Sequence, residues 1–458
     1  MALMPVTDSM FLLAESREHP MHVGGLQLFA LPDGAGPDYV SDFHRELLEL
    51  ADVRPLFRRR PRGPVGTVGQ FAWSNDDNLD IEYHVRHSGL PRPGRVRELL
   101  ELVSRLHGTL LDRHRPMWEF TVIEGLQGNR FATYSKIHHA LLDGVSALKL
   151  IQSSLSTDPD ATDVRPVWSP RVRENVFDKP RRQAETDPFT AAGRLVKDVA
   201  GLGGAAAKAV NEAFREQSGT LAFQAPKSMF NVPITGARRF AAQGWPLERI
   251  KAVGRGSGAT MNDVMLAMCA GALRQYMLDL GALPDRPLVA AVPMSLRART
   301  GSESSMGGNA LGLILCNMAT DEPDAATRLA TIHASMLKGK AAYHGMSRLQ
   351  ITALSAVPLI PLAIGTVPGL TTLTPPGFNV LISNVPGPRE PLYWNGARMQ
   401  GVYPLSIPYE GQALNITVTS YAGSLEFGLT GCRRTVPHLQ RLLALLEESL
   451  QELEKATA

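Results

Sequence analysis

A predicted strand that ends in two histidines and passes directly into a helix constrains the fold of this chain more than any other segment. Residues 131–137 are β-rich, and a Gly-Asn turn separates them from a similar run at 118–123, so the two runs predict a hairpin. His138 and His139 follow, and Asp143 then precedes apolar residues at helical spacing. Elsewhere, strands and helices alternate without strict βαβ order. The chain is therefore predicted to have a mixed α/β fold with a mixed sheet in each half.

The two histidines are predicted to have different surroundings. Neighbouring side chains of an extended strand point to opposite faces, so His139 shares a face with Ile137, whereas His138 shares one with Lys136. An imidazole has an unperturbed pKa of about 6.5 and accepts a proton from an alcohol or thiol near neutral pH. One histidine is expected to be a base and the other its structural partner, and the residues alone do not choose between them. The alternatives are two core histidines, or two metal ligands with Asp143.

Length and charge limit the classes of protein that this chain can belong to. A chain of 458 residues is long enough for two domains with full cores. The formal net charge of +3 is too small to indicate nucleic-acid binding. Three cysteines, far apart in the sequence, predict neither a disulfide framework nor a metal site, which suits a reducing cytoplasm. The first ten residues show no secretory signal.

Composition suggests where the domains meet. Pro, Asp and Arg dominate residues 157–188, and a Gly- and Ala-rich segment that could be a crossing helix follows at 190–214. We therefore predict an N-terminal domain at 1–156, a linker or crossing segment at 157–230 and a C-terminal domain at 231–458.

Two segments raise the question of contact with lipids. Residues 349–388 contain no charged side chain, but prolines at 358, 361, 368, 375 and 376 interrupt the stretch, so a buried core or a lipid-facing wall fits better than a membrane-spanning helix. Arg58, Arg59, Arg60 and Arg62 form a basic cluster that could meet the phosphates of CoA or acidic lipid head groups, although a solvated loop is the favoured interpretation.

An ordered set of short motifs extends the histidine pattern over nearly the whole chain. The HHxxxDG signature occurs widely in CoA-dependent acyltransferases and condensation domains, and the full set resembles the bacterial wax ester synthase/diacylglycerol acyltransferase family. The motifs are TDSMFL at 7–12, RPMWE at 115–119, HHALLDG at 138–144, ND at 262–263, CAGALR at 269–274, VPMSLR at 292–297, GGN at 307–309 and SNVPGP at 383–388.

The resemblance implies a fold and roles for individual residues. It implies a fold similar to chloramphenicol acetyltransferase, with two α/β sandwich domains and an active-site tunnel between them. It also implies that the second histidine, His139, is the general base and that Asp143 is structural, through an ion pair with an unidentified arginine. The family's PLW element is present as PMW at 116–118. Acyl-CoA is the implied co-substrate, with no bound cofactor and no metal, and no CoA-contacting residue is identified.

Asn262 has two interpretations. Its amide has the chemistry to stabilise an oxyanion, and the resemblance favours an active-site position. Its place before an apolar helical run equally predicts an N-cap. A covalent mechanism is disfavoured because no G-x-S-x-G elbow occurs and Cys269 lies within an apolar helical pattern. Direct attack on the thioester is therefore expected.

The sequence thus predicts an O-acyltransferase that makes triacylglycerol from diacylglycerol, or wax ester from a long-chain alcohol. Two alternatives stay open: a condensation-type enzyme with carrier-tethered substrates, and a non-catalytic lipid-binding protein of the same fold. The expected partners are acyl-CoA and lipid alcohols, not nucleic acid. The expected location is the cytoplasm, at the periphery of the inner membrane or of lipid bodies, because the substrates are insoluble in water.

Overall fold

Two six-stranded mixed sheets dominate the part of the chain that the structure describes. The structure is a computed structural model, and it describes residues 2–65, 70–170, 224–295, 311–343, 351, 354–355, 357–359 and 375–457. Parallel and antiparallel pairs occur in both sheets. The predicted mixed α/β class is thereby confirmed.

The sheet of the N-terminal lobe is built around the predicted hairpin. In spatial order its strands are β12 (Tyr393–Trp394), β13 (Ala397–Leu405), β2 (His22–Ala30), β7 (Arg130–His138), β6 (Trp118–Leu126) and β5 (Val85–Gly89). A smaller sheet lies beside it and contains, in order, β1 (Ala2–Leu3), β4 (Gln70–Asn75) and β3 (Arg59–Val65).

The sheet of the C-terminal lobe has an antiparallel pair at each edge and a parallel centre. In spatial order its strands are β10 (Leu311–Asn317), β9 (Val289–Ser295), β11 (Val380–Val385), β14 (Leu414–Tyr421), β15 (Ser424–Cys432) and β8 (Arg238–Pro246).

Helices cover these sheets in both lobes. Those of the N-terminal lobe are α1 (Val6–Ala14), α2 (Tyr39–Glu49), α3 (Ile81–His84), α4 (Val96–His107) and α5 (Gly144–Ser153). Those of the C-terminal lobe are α6 (Leu247–Ser257), α7 (Met261–Asp279), α8 (Ala325–Ala342) and α9 (Arg441–Thr457). Short 3-10 turns occur at Pro55–Arg58 and Val357–Leu359.

Each lobe has its own hydrophobic core, and a third cluster joins them. The helix α7 is buried on nearly every side, as a helix at the centre of a core must be, and it is accordingly apolar all round. At the junction, Leu26 and Leu99 of the N-terminal lobe pack with Phe240 and Leu405. The backbone N–H of Phe240 also donates to Ser104 Oγ at 2.9 Å. The lobes therefore share buried apolar surface as well as hydrogen bonds.

The C-terminal segment also supplies a strand to the N-terminal sheet. Residues of β13 pair antiparallel with β2, with Tyr403 opposite Leu26, and this pairing covers an edge of β2 that would otherwise be open. Val167 and Trp168, beyond the predicted end of the first domain, pack into the N-terminal core. The domain boundaries stay a prediction, and a cut at residue 230 would divide a continuous sheet.

Most local predictions agree with the structure. The hairpin is confirmed as β6 and β7, whose turn contains Gly128 and Asn129 at positive φ of 80° and 52°. The sequence did not predict the strand β13. The helix predicted at 190–214, most of the predicted linker and part of the uncharged stretch lie outside the described residues. In the described part of that stretch, the apolar side chains Ile351, Leu359, Phe378, Val380 and Ile382 are buried.

Candidate active site

The end of β7 is held from both sides by backbone hydrogen bonds. His138 N–H donates to Met117 O at 3.0 Å, and His139 N–H donates to Met21 O at 2.9 Å. The chain then forms a tight turn, in which the Leu141 N–H donates to His138 O at 2.9 Å. The two imidazoles are therefore fixed at the last residue of the strand and the first residue of the turn, where they have different surroundings.

His138 is fully buried, and each of its ring nitrogens lies close to one polar group. Its Nδ1 accepts a hydrogen bond from the Ala140 N–H at 3.1 Å, so this nitrogen carries no proton. The ring N–H is then at Nε2, which lies 3.3 Å from Glu15 Oε1. With one nitrogen occupied by the backbone and the other facing a buried carboxylate, His138 has the contacts of a structural residue.

Two other groups hold the side chain of Glu15 in place. Arg113 Nε donates to Glu15 Oε2 at 2.9 Å, and the Met21 N–H donates to Oε1 at 3.2 Å. Arg113 also donates to Leu12 O at 2.8 Å, which ties the guanidinium to α1. Burial alone would raise the pKa of Glu15, but the contact with His138 and the charge of Arg113 outweigh it and hold the pKa below its usual value. Glu15 is therefore a carboxylate at neutral pH.

His139 lies on the other side of the turn and is half-buried. Its ring stacks on Phe11 of α1, with 4.1 Å between the ring centroids and an angle of 27° between the planes. Stacking against an aromatic face restricts the orientation of the imidazole. The predicted difference between the two histidines is thus visible in their surroundings: one is enclosed, and the other is positioned but partly accessible.

Asp143 is the N-cap of α5. Its Oδ1 accepts from the Ser146 N–H at 2.7 Å, and its Oδ2 accepts from Ser146 Oγ at 2.8 Å. The predicted cap is confirmed, and the hydroxyl of Ser146 is engaged with this carboxylate. Asp143 therefore fixes the junction between the histidine turn and the helix that follows.

The PMW element at 116–118 packs against the same turn. Met117 and Trp118 are buried, and Trp118 Nε1–H donates to Phe57 O at 2.8 Å. The indole stacks on His84, with 4.5 Å between centroids, and on Trp168. Since Met117 O also accepts from the His138 N–H, this element packs the strand beside the site and holds its last residue.

Asn262 is not an N-cap, which corrects one of its two predicted roles. The cap of α7 is Thr260, whose hydroxyl accepts from the Asp263 N–H at 3.3 Å while Asp263 Oδ2 accepts from the Thr260 N–H at 3.0 Å. This reciprocal pair is a capping box. Asn262 is the second residue of the helix and is half-buried. Its side-chain amide does not serve as the cap.

Asp263, next to it, connects two helices of the C-terminal lobe. The carboxylate is buried, and Oδ2 accepts from His333 Nδ1 of α8 at 2.7 Å as well as from the Thr260 hydroxyl at 2.7 Å. The first turn of α7, which carries Asn262, is thereby fixed to α8.

The thiols belong to the packed interior. All three cysteines are buried, and burial raises the pKa of Cys269 to about 12, so its thiol stays protonated. Cys269 is a core residue, as predicted. Among the described residues no group of three or more His, Cys, Asp and Glu side chains is placed to hold a metal ion.

Sequence reasoning missed Phe11, Glu15 and Arg113. The motif at 7–12 was noted, but its connection to the histidines is made by folding, because Arg113 and His138 are far from Glu15 in the chain. No spacing rule links such residues. A buried carboxylate at the end of an N-terminal helix that pairs with a distant arginine has no local signature.

Two mixed sheets, with a strand of the C-terminal segment in the N-terminal sheet and HHxxxDG at the end of a central strand, define the condensation-domain-like class of two-lobed folds. A condensation domain of the CDA synthetase has a TM-score of 0.57 at 18% identity, covering 99% of this chain and 95% of that one, which shows a common fold. The family models refine this class. The "Wax ester synthase/diacylglycerol acyltransferase catalytic domain" model matches residues 3–265, and the "WS/DGAT C-terminal domain" model matches residues 307–454. The chain belongs to this family.

Individual relatives agree with that assignment. A Mycobacterium tuberculosis protein named "Probable diacyglycerol O-acyltransferase tgs2" is 53% identical over 459 aligned residues, covering 100% of this chain and 99% of the relative. A solved wax ester synthase/diacylglycerol acyltransferase from Marinobacter aquaeolei is 41% identical, with a TM-score of 0.79 and complete coverage of both chains.

Family membership confirms the predicted resemblance and the enzyme class, an O-acyltransferase of the wax ester synthase/diacylglycerol acyltransferase type. It also confirms the predicted two-domain fold. No described helix has the length and apolar character that crossing a membrane requires.

Proposed function

We propose that this chain transfers a long-chain acyl group from acyl-CoA to diacylglycerol, to a long-chain alcohol, or to both, with His139 as the general base. The observation that carries the proposal is the unequal surroundings of the paired histidines. His138 is enclosed by Ala140 and Glu15, whereas His139 is half-buried, oriented by Phe11 and partly accessible.

The reaction needs a base that accepts the hydroxyl proton and a hydrogen-bond donor that stabilises the oxyanion. The acceptor hydroxyl attacks the carbonyl carbon of the thioester while His139 removes the hydroxyl proton, which gives a tetrahedral oxyanion and an imidazolium. Collapse of this intermediate breaks the C–S bond, and the imidazolium returns the proton to the CoA sulfur. A positioned imidazole contributes about 10²–10⁴-fold to such a step. These steps balance in atoms and electrons without an oxidant or a reductant.

Two neighbouring residues support this chemistry. Asp143 holds the turn that carries His139 by capping α5, and in this proposal it stays out of the proton transfer. Asn262 is the proposed hydrogen-bond donor to the oxyanion. Its side chain does not cap α7, and it lies on a helix turn that Asp263 and His333 hold in place.

An acceptor panel tests the proposed function. The purified protein is incubated with labelled palmitoyl-CoA and, separately, diacylglycerol, monoacylglycerol and hexadecanol, and the esters are resolved by chromatography. We expect triacylglycerol or wax ester from the unmodified protein. His139→Ala should lower the rate by at least about 10²-fold with unchanged thermal unfolding, whereas His114→Ala, at an exposed histidine, should retain full activity.

The other outcomes separate the rival functions. Full activity of the His139→Ala protein would remove this residue as the base. Ester formation only from an acyl group tethered to a carrier protein would favour a condensation-type enzyme, and lipid binding without turnover on the whole panel would favour a non-catalytic lipid-binding protein.

We also infer a peripheral position at a lipid–water interface. The proposed acceptors are insoluble in water, so they reach the site from a membrane or a lipid droplet. Fractionation of the native cells tests this: quantitative recovery of the protein in the soluble fraction at low salt would contradict it.

A further inference from the structure

The first segment of the chain exposes large apolar side chains that its neighbours do not cover. Leu3 is 66% exposed, Met10 41% and Leu13 53%. Single exposed leucines are common on soluble proteins, but these three lie on β1 and α1, which follow each other directly. Met10 and Leu13 are three residues apart on the helix and therefore share one side of it. We call Leu3, Met10 and Leu13 the α1 patch.

The opposite side of α1 contacts the candidate active site. Phe11 and Leu12 are buried in the N-terminal core, and Phe11 stacks on the ring of His139. The main-chain oxygen of Leu12 accepts from Arg113, which also holds Glu15. One short helix thus orients the candidate base on its inner side and presents apolar side chains to solvent on its outer side.

Basic residues stand beside the α1 patch in the small sheet. Leu3 is opposite Ala72 on β4, and Arg62 is opposite the same Ala72 on β3, so the three side chains project from one face of the sheet. Arg60 is two residues from Arg62 on β3 and shares that face. Arg62 is exposed, and Arg60 is half-buried with Nη1 donating to His114 O at 2.9 Å. Arg62 and Arg60 therefore lie on the same face of the small sheet as Leu3, across β4 from it.

We propose that the α1 patch, together with Arg60 and Arg62, is the surface on which this protein docks to an anionic phospholipid interface. Apolar side chains that enter the head-group region next to arginines that meet phosphates are the two components of peripheral membrane binding. A protein interface would not require cations at the edge of the apolar residues, whereas an anionic membrane does. The inference rests on the proposed function, since it places the lipid acceptor next to the helix that contacts His139.

Vesicle co-sedimentation tests the docking surface. The full-length protein is mixed with vesicles of phosphatidylcholine alone or with added phosphatidylglycerol. We expect binding that phosphatidylglycerol strengthens and salt weakens. The double variant Leu3→Ser with Leu13→Ser should bind both vesicles at least about tenfold more weakly. Arg60→Gln with Arg62→Gln should lose most of the gain from phosphatidylglycerol.

Matched controls identify the surface. Leu278→Ser with Leu280→Ser removes two leucines that are 44% and 43% exposed at the end of α7, and Arg45→Gln with Arg255→Gln removes two arginines that are each 68% exposed. Both controls should bind as the unmodified protein does. Unchanged binding of the two patch variants, or absence of binding by the unmodified protein, would overturn the proposal. So would a shift from dimer to monomer in the leucine variant without vesicle binding, since a second copy would then cover the patch.

An activity comparison separates this proposal from the proposed function. With hexanol, an acceptor that needs no membrane, the Leu3→Ser, Leu13→Ser protein should transfer acyl groups at the unmodified rate. With diacylglycerol in anionic vesicles its rate should fall at least about tenfold, in line with its weaker binding. A protein that binds vesicles through the patch but transfers no acyl group to either acceptor would refute the proposed function and leave the docking surface intact.

Discussion

Each lobe buries a carboxylate against a histidine, but the two pairs are built differently. In the N-terminal lobe, Glu15 Oε1 lies 3.3 Å from His138 Nε2, and both side chains are at most 1% exposed. In the C-terminal lobe, Asp263 Oδ2 lies 2.7 Å from His333 Nδ1, and that imidazole is 30% exposed. The first pair also requires Arg113, whereas the second pair shares its carboxylate with the capping box of α7.

The difference indicates what each pair stabilises. The Glu15 pair joins the end of α1 to the histidine turn, so it holds the residue next to the proposed base. The Asp263 pair joins two helices, and water can reach its imidazole. A buried ion pair is costly when one partner is removed, and the cost grows as solvent access to the remaining partner falls. The two pairs should therefore respond unequally to matched substitutions.

The largest effect is expected from Glu15→Gln. This change leaves Arg113 and the enclosed His138 without their carboxylate, so we expect a loss of about 3 kcal/mol in the free energy of unfolding and a fall in kcat of about 10²-fold. The folded-state pKa of Glu15 is lowered, so its stabilisation is present above the unfolded pKa and is lost as pH falls through the folded value. The variant should accordingly lose less stability on acidification.

Urea unfolding at several pH values and steady-state kinetics measure both effects. Glu18→Gln, at an exposed carboxylate three residues further along, is the control and should behave as the unmodified protein. Equal stability and kcat in the Glu15 and Glu18 variants would show that the N-terminal pair has no special role.

Asp263→Asn should have a smaller effect. The variant keeps the shape of the side chain but loses the charge that His333 and Thr260 contact, and we expect a loss of about 2 kcal/mol in the free energy of unfolding. Because the pair lies in helix packing and acts on Asn262 only through the first turn of α7, kcat should fall less than tenfold. A loss of kcat as large as that of Glu15→Gln, at unchanged stability, would remove the distinction between the two pairs.

A third buried carboxyl group faces hydroxyls instead of an imidazole. Glu426 lies near Ser424 and Tyr403, and burial raises its pKa to about 7. A raised folded-state pKa means that stability is highest below the unfolded pKa of about 4.5 and is lost as pH rises to about 7. Glu426→Gln should therefore raise the free energy of unfolding at pH 8 by on the order of 2 kcal/mol and have little effect at pH 5.

Thermal unfolding at the two pH values checks this prediction. Glu390→Gln, at an exposed carboxyl group, controls for the change in net charge. A destabilised Glu426→Gln protein at pH 8 would show that the carboxylate form is bound favourably, as it is at Glu15.

The smallest stability effects are expected at the two helix caps. Asp143→Ala and Thr260→Ala each remove the side chain that accepts from the first turn of a helix, and each should cost about 1–2 kcal/mol. Only the Asp143 variant should also lose kcat, because α5 follows the turn that carries His139. Urea unfolding and acyl-transfer kinetics of the two cap variants test this prediction. An equal loss of kcat in both variants would contradict it.

Local signals explain the parts of the fold that the sequence predicted. The hairpin was predictable because Gly128 and Asn129 adopt the positive φ that its turn needs, and the start of α5 because Asp143 is an N-cap residue. The wrong cap for α7 came from placing the start of the helix after Asn262, whereas the helix begins at Met261 and Thr260 is its cap. The Thr-x-x-Asp pattern at 260–263 is a capping-box spacing and decides in favour of the threonine.

The missed features depend on contacts between distant residues. Glu15 acquires its role only when Arg113 and His138 are folded against it. The strand β13 contains Gly401 and Pro404 and pairs with β2 through a register shift, so its sequence lacks a clean alternation. The residues alone singled out His138 and His139 only as a pair, and the family resemblance favoured His139; the contacts of Glu15 show how their surroundings differ.

The strand shared between the lobes has a consequence for synthesis on the ribosome. Leu26 emerges early, but Tyr403, which pairs with it, is made near the end of translation. Throughout that interval the edge of β2 has unpaired N–H and C=O groups, which is the kind of surface that recruits foreign strands. The nascent N-terminal lobe should therefore depend on chaperone protection until residue 405 has left the exit channel.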